Sequence, residues 1–521
     1  MDKRVILAVV LSLIVLFFYP YFLTKFYPQQ AAPVKTEAPQ AGAPTALAPE
    51  AGKPVVPAVP EIKEQFITVE TPLFKAMFSN AGGGVKSWEL KKYKEAIEEK
   101  SPLVNAAEKV ARMNSFKTQV TSNGVMETVI FQPSATNIVI SENQTAELVL
   151  TGTTKTGLVV EKKYKFSADS YQFDTNVRII NQSAGSIEGK AETIVTASIA
   201  GKDATGYHQG PIIYTKKKLI RQDADEAQMS DTNKLKWVGL EDKYFLAAMI
   251  PPKDSNLGWL TEVISGSTSK ASLQMPVNLA AGTQAVYSYS SFLGPKEYDR
   301  LVQQRIGLED AIEFGWFDFI ARPFLVVLNF FTKYMKNYGI AIIVLTVLIK
   351  ILFYPLTKKS LTSMKEMQKM QPQLAAIKER YKNDKEKMNK ELMDLYKRYK
   401  INPLGGCLPM VLQIPVFIGL YEVLYVAIEL RHAPFYLWIH DLAAKDPYYI
   451  TPLLMGATMF LQQKMTPSSM DPSQAKIMLF MPIIFTFMFL NFPAGLVLYW
   501  LVNNILSVAQ QYYIYKAPAK A

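Results

Sequence analysis

The sequence predicts a polytopic α-helical membrane protein that carries a large antiparallel β domain outside the cytoplasm. Three observations carry that prediction. Six apolar runs approach the length of a membrane span, a long stretch between the first two alternates with a period of two, and one loop is strongly basic. The chain has 521 residues, enough for two or three domains, and a net charge of +12. That charge is too weakly patterned to indicate nucleic acid.

The first run covers residues 5–23, preceded by Lys3 and Arg4. A cleaved signal peptide has a shorter apolar core, about 7–15 residues, and a small-residue cleavage site. We therefore predict an uncleaved anchor over 1–27 with its N-terminus inside; Ala31-Ala32 offers cleavage as the other reading. Residues 28–60 are rich in Pro and Ala with few large apolar residues, the composition of an extended linker.

Residues 61–296 read as the β domain. Thr128-Val-Ile-Phe-Gln132, Ala146-Glu-Leu-Val-Leu150 and Gly157-Leu-Val-Val-Glu-Lys-Lys-Tyr-Lys-Phe166 alternate between turn residues. Gly82-Gly-Gly84 lacks the Gly-Lys-Ser/Thr of a phosphate loop and reads as a turn. Residues 297–317 read as an amphipathic helix. Residues 316–336 are aromatic with Arg322, Lys333 and Lys336, as in a helix lying along the membrane surface, or extend the next span.

Five further spans are expected at 338–356, 408–430, 449–465, 475–491 and 495–513. Loop 358–402 carries thirteen Lys and Arg against six Asp and Glu, a balance of +7. The loops at 432–448 and 491–495 carry one Lys and none. The positive-inside rule puts the basic loop and both termini in the cytoplasm, and the β domain outside it. A bacterial inner membrane with a periplasmic domain fits.

The basic loop is rich in helix formers. Leu374, Ile377 and Tyr381 share one face, as do Met388, Leu392, Leu395 and Tyr399; Asn383-Asp384 supplies a turn. A projecting hairpin of two antiparallel helices follows. Its basic side chains, Lys378, Arg380, Lys382, Lys385 and Lys387 among them, suit docking to lipid headgroups or ribosomal RNA, or form a solvated face that enforces topology. Met364, Met367 and Met370 offer either a soft client surface or a hairpin seam.

Within the spans, Lys350 stands out. An ammonium in hydrocarbon costs about 2.5–3.5 kcal/mol on insertion scales, and such residues usually face a bundle interior or a wet cavity. Thr346 lies one turn earlier on the same face. Lys350 is also close to Pro355 and Thr357, so its stem could snorkel to the headgroups. In the last span Tyr499, Asn503, Ser507 and Gln511 repeat at i+4, with Gln413 in the third span; they line the same cavity or glue helices together. The fifth span carries Met478, Met481, Phe485, Met488, Phe489 and Phe492, an adaptable apolar surface.

The single cysteine, Cys407, excludes an intrachain disulfide. His208, His432 and His440 lack metal-pair spacing, so neither metal nor cofactor is expected. Two rival functions remain. A secondary transporter would use Lys350 but should show internal repeats, which are not seen. A membrane enzyme would use Glu422 and Glu429 near His432, yet no nucleophile–base constellation accompanies them.

Several strings resemble the YidC/Oxa/Alb family of membrane protein insertases: Tyr354-Pro-Leu-Thr-Lys358, Asn402-Pro-Leu-Gly-Gly-Cys-Leu-Pro409, Gln413-Ile-Pro415, Pro434-Phe-Tyr-Leu-Trp-Ile-His-Asp-Leu442, Asp446-Pro-Tyr-Tyr-Ile450 and Phe492-Pro-Ala-Gly-Leu-Val-Leu-Tyr499. They fall in order over about 316–515. The resemblance implies a β-supersandwich in the periplasm and a five-helix core over 338–515 around a hydrophilic groove. Lys350 matches the groove position where the family usually has Arg, which keeps the charge and loses the planar donor fork. It further implies an apolar slide at Ile414, Pro415, Phe417, Met481, Phe485 and Met488, and client contact at Tyr499 and Trp500. Expected partners are nascent membrane proteins, the ribosome, the Sec translocon and membrane lipids, with the protein working as a monomer. A structural accessory role beside Sec is the related alternative. The tail at 516–521 has only Lys516 and Lys520, so ribosome docking falls to the hairpin.

Overall fold

The computed structural model describes residues 64–521 except 111–114, 199–200, 203–205, 217, 227, 233–234, 256, 265–267, 400–407, 467–471 and 517–521. The expected anchor at 1–27, the linker at 28–60, most of the motif at 402–409 and nearly all of the tail lie outside the described residues.

The strands run from Phe66–Glu70 to Gln284–Pro295 and form three sheets. The widest has ten strands, with Gln284–Pro295, Gln172–Asn181, Leu158–Ser167 and Thr145–Thr153 adjacent at its centre. A six-stranded sheet is built around Ile187–Ala197 and Thr268–Leu279, and a five-stranded one around Phe74–Ser79. Pairing is antiparallel except where Phe66–Glu70 meets Asn137–Val139.

Alternation does what period-two side-chain placement requires. In Leu158–Ser167, Leu158, Val160, Lys162, Tyr164 and Phe166 point inward, as do Phe173, Thr175, Val177 and Ile179 in the neighbouring strand. This inner face meets both smaller sheets. Phe166 and Tyr164 pack on Phe78, Phe173 packs on Trp88, and Tyr289 shares a 2.5 Å hydroxyl hydrogen bond with Thr193. The alternation predicts the antiparallel β domain that is seen, and the layers share one inner face.

Two details depart from the sequence reading. Residues 128–132 bury Val129 and Phe131 as the alternation requires, yet Ile130 makes only an isolated bridge to Ala81. The alternating face also includes an ammonium: Lys162 is fully buried, donating to Phe116 O at 2.5 Å, and burial pushes its pKa well below the usual lysine value. The glycine turn has positive φ at Gly82 (78°) and Gly83 (60°), where a side chain is disfavoured. A Cβ on Gly83 would lie 2.8 Å from Leu150 Cδ1, and Gly83 O accepts from Tyr164 Oη at 2.6 Å.

Residues 297–317 are only partly helical. A short helix, Tyr298–Gln303, gives way to positive φ at Arg305 and Gly307, followed by 3₁₀ turns at Leu308–Ala311 and Gly315–Phe317. The glycine at 307 fits because Tyr214 leaves no room: a Cβ there would lie 2.3 Å from its ring. This connector is tied to the β domain by a buried charge cluster absent from any sequence pattern. Lys296 Nζ and Arg221 Nε donate to Glu241 at 2.5 and 2.8 Å, and both side chains also donate to Ala311 O. His208 Nδ1 lies 3.1 Å from the same carboxylate.

Eight longer helices follow: α1 (Asp318–Met335), α2 (Tyr338–Lys369), α3 (Gln371–Arg380), α4 (Lys385–Arg398), α5 (Leu408–Val426), α6 (Ile450–Met465), α7 (Pro472–Phe489) and α8 (Ala494–Lys516). α1 is two-faced: Ala321, Leu325 and Leu328 are buried, while Phe319, Val326, Phe330 and Tyr334 are exposed. Among the described residues, α2 alone is both long and apolar enough to cross a membrane; Leu412–Val426 and Met478–Phe489 are shorter apolar stretches. α2 packs against α1 and α8, and α8 packs against α6, which packs against α7. Small residues allow close approach: a Cβ on Gly456 of α6 would lie 2.0 Å from Thr486 Oγ1 of α7, and one on Gly495 of α8 would lie 2.7 Å from Leu424 of α5.

Three boundaries correct the sequence reading. α2 does not stop at 356; it passes Pro355 without a break and supplies the first part of the projecting hairpin. The run expected at 408–430 ends as a helix at Val426 and finishes in a 3₁₀ turn, Ile428–Leu430. In α4 the seam uses Leu392, Leu395 and Tyr396 against Met367, Met370, Leu374 and Ile377, and Tyr399 is exposed. Met367 and Met370 are thus seam residues.

The start of α6 is set by Asp446. It is fully buried; Oδ2 accepts from Thr451 N and Oγ1 at 2.8 and 2.6 Å, and Oδ1 accepts from Tyr448 N at 2.9 Å. Asp446→Ala should strand these donors and cost about 1–3 kcal/mol, read as a drop in the thermal midpoint of the purified protein. An unchanged midpoint would refute the capping role.

The cluster at Glu241 makes a pH prediction. Burial alone pushes its carboxyl up, but Lys296, Arg221 and His208 outweigh burial and hold it at about 2, below the ordinary 4.5. Its stabilising contribution is therefore complete above pH 4.5 and is lost as pH falls toward 2, amounting to about 3 kcal/mol. Glu241→Gln should flatten the loss of stability in that window in denaturation curves at stepped pH.

Candidate functional site

The side chain that sequence reading singled out lies on α2. Lys350 is half-buried, and its Nζ donates to Ser507 Oγ on α8 at 2.6 Å. Among the described residues no carboxylate pairs with it. Ser507 in turn donates to Asn503 O, one turn back in α8, at 2.7 Å. The ammonium is therefore turned toward α8.

The polar repeat along α8 reaches several neighbours. Gln413 Nε2 of α5 lies 3.5 Å from Tyr499 Oη, at the long limit of a hydrogen bond. Gln510 Nε2 donates to Thr357 Oγ1 of α2 at 2.8 Å, and Gln511 Nε2 donates to Thr466 Oγ1 just past α6 at 3.2 Å. Tyr499, Asn503 and Gln511 are buried, so these contacts bind helices together; Lys350, Ser507 and Gln413 are the more open members. Thr346 does not join them. It is fully buried, and its hydroxyl donates to Ile342 O in its own helix at 2.7 Å, satisfying its donor locally.

Beside this polar seam lies an aromatic one. Trp500 of α8 meets Phe417 of α5 edge-on at 5.1 Å, Phe489 of α7 at 5.3 Å and Phe485 of α7 at 6.5 Å between ring centroids. Phe489 also stacks on Phe492 at 4.9 Å. The sequence-predicted slide residues Phe417 and Phe485 are brought together here. Met481, Met488 and Pro415 are not among the exposed apolar residues, whereas Ile414 is exposed. The outward face of α7 is made instead by Leu479, Phe480, Ile483 and Phe487, a set the Met/Phe pattern did not single out.

In the hairpin, Arg380, Lys382 and Lys387 are exposed and Lys378 is half-buried; Lys385 opens α4, whose N-terminal Asp384 carboxylate accepts from Lys387 N at 3.0 Å. The basic side chains are displayed around a small Met/Leu seam.

Glu422 and Glu429, the carboxylates of the enzyme reading, have structural partners. Glu422 accepts from Tyr207 Oη at 2.6 Å, and Glu429 accepts from Tyr298 N at 2.7 Å. With Lys243 Nζ 3.7 Å above the Tyr425 ring and Arg431 donating to Glu95 O at 2.9 Å, they fasten the β domain to the end of α5. These partners lie more than a hundred residues away in sequence, so no local pattern could disclose them. A concavity of about 620 Å³ lies on the β domain and includes Lys165, Asp174, Asn176 and Ser290. Among the described residues no group of three or more His, Cys, Asp or Glu is placed to hold a metal.

Comparison with known proteins covers both parts of the chain. Residues 330–521 match the family model described as 60Kd inner membrane protein, and residues 66–327 match that of the YidC periplasmic domain. A membrane protein insertase YidC from Syntrophus aciditrophicus is 45% identical over 99% of this chain and 100% of its own length. One from Geotalea daltonii is 42% identical over 99% of each. A solved structure described as an active YidC insertase with its first transmembrane domain resolved is 18% identical and covers 87% of this chain and 93% of its own, with a TM-score of 0.38.

Proposed function

The chain belongs to the YidC family of membrane protein insertases, and from that membership we propose how its residues carry out insertion. The protein is an inner-membrane insertase with a periplasmic domain. The reading rests on one observation above the rest: the Lys350 ammonium, a group with three protons to donate, has the Ser507 hydroxyl as its partner and no counter-ion among the described residues.

Such a cation attracts the polar or acidic part of an incoming segment. Ser507, Gln413 and the hydroxyl of Tyr499 supply further hydrogen-bonding groups, so the segment exchanges part of its hydration before it leaves water. That lowers the desolvation barrier for a short hydrophilic stretch. The apolar part of the client moves along the exposed face of α5 and α7, from Ile414 past Phe480 and Phe487 toward Met488, and partitions into lipid. No bond is made or broken and no nucleotide is consumed.

In this reading α2, α5, α6, α7 and α8 span the membrane with the N-terminal anchor, both termini and the hairpin being cytoplasmic. The hairpin cations dock the ribosome or anionic lipid, and the protein acts as a monomer, alone or beside the Sec translocon.

Lys350→Glu should lower insertion of clients with acidic translocated tails by about tenfold, the factor that ~1.4 kcal/mol carries, with Lys350→Arg close to the parent. Protease protection of such clients in vesicles, at equal insertase abundance, measures this; normal protection with Lys350→Glu would remove the charge role. A photocrosslinker at Met488 or Phe487 should capture nascent chains on translating ribosomes, and labelling of lipid alone would remove the slide.

A further inference from the structure

The segment 431–449 closes one end of the helical unit. Ala494 N and Gly495 N at the start of α8 donate to Ala444 O and Leu442 O, and α6 begins directly after Tyr449. Phe435 packs on the second residue of α2: a Cβ on Gly339 would lie 2.1 Å from the Phe435 ring. The loop is therefore held at the level where the apolar run of α2 begins.

At its tip is a tight turn. Ile439 N donates to Tyr436 O at 3.3 Å, and Phe435 N donates to Ile439 O at 2.9 Å. Leu437 sits inside this turn with φ of 60°. Glycine or asparagine is the ordinary choice there, because a branched side chain clashes with the backbone. Leu437 accepts that strain and buries little: it is 81% exposed, with its neighbour Tyr436 at 57% and Tyr448, later in the same loop, at 67%. In water neither the strain nor the exposure is repaid. An apolar medium repays both, and tyrosines flanking an apolar residue are the pattern found at the boundary between headgroups and acyl chains.

We propose that the 435–439 turn is a lipid-inserting wedge: Leu437 enters the acyl region of the periplasmic leaflet while the hydroxyls of Tyr436 and Tyr448 stay among the headgroups. The partner is the bilayer itself, engaged beside the mouth of the bundle. This rests on the reading that α2 spans the membrane.

The test uses the whole chain in lipid vesicles, with Cys407→Ser removing the native thiol. A nitroxide is attached at Leu437→Cys, at Leu352→Cys on the exposed face of α2, and at Asn143→Cys on the β domain. Collision with oxygen and with a water-soluble nickel chelate reports depth. The expected result places the 437 label about 5–10 Å below the headgroups, rich in oxygen and poor in nickel contact like the 352 label. A 437 label as nickel-accessible as that at 143, or shielded from both reagents by protein, overturns the wedge while the 352 label stays in lipid. If the 352 label is itself in water, the membrane-spanning reading of α2 falls, and the wedge with it.

Discussion

An ammonium can donate three hydrogen bonds, and among the described residues Lys350 has one partner, Ser507. That shortfall is the constraint around which the helical unit is arranged. A buried ion pair with every hydrogen bond satisfied would have been a packing element. A single hydroxyl partner leaves attraction unspent, and the neighbouring groups differ in kind on either side. One seam is amide and hydroxyl, from Gln413 and Tyr499 to Gln510 and Thr357. The other is a ring cluster at Phe417, Phe485, Phe489 and Trp500. Polar and apolar surroundings thus adjoin within one bundle.

The β domain bears on this through its anchorage. Glu241 gathers Lys296 and Arg221, and these two cations reach over to Ala311 in the connector. Glu422, Tyr425 and Glu429 at the far end of α5 are held by Tyr207, Lys243 and the Tyr298 amide. Two carboxylates that look out of place in an apolar run are explained by what they hold. Through these contacts the end of α5 is fastened to the β domain and its connector.

Legibility of the sequence follows the range of the forces involved. Period-two alternation exposed Leu158–Ser167 because its inner face is buried along its whole length. The apolar runs located α6 and α8 within a few residues and the start of α2, but not its end. What failed was non-local. Leu392 and Leu395 lie in the seam as their spacing predicts, but the choice between Tyr396 and Tyr399 depended on where Met370 and Leu374 sit across it. Thr346 shares a helical face with Lys350, and only the packing against α2 shows that it is enclosed. Lys162 obeys the alternation while violating hydrophobicity, since two carbonyl oxygens wait for it at the core.

The absence of a joint in α2 has a mechanical consequence. Tyr338–Lys369 is one rod, with Lys350 near its middle and the base of the hairpin at its end. At 1.5 Å per residue the arm from Lys350 to Lys369 is about 28 Å. A load applied to the hairpin is not absorbed by a flexible elbow; it is transmitted as torque along the rod, with α8 as fulcrum. Between the hairpin and Lys350, that leverage bears on two further ties to α8, Lys365 Nζ to Ile514 O and Gln510 Nε2 to Thr357 Oγ1.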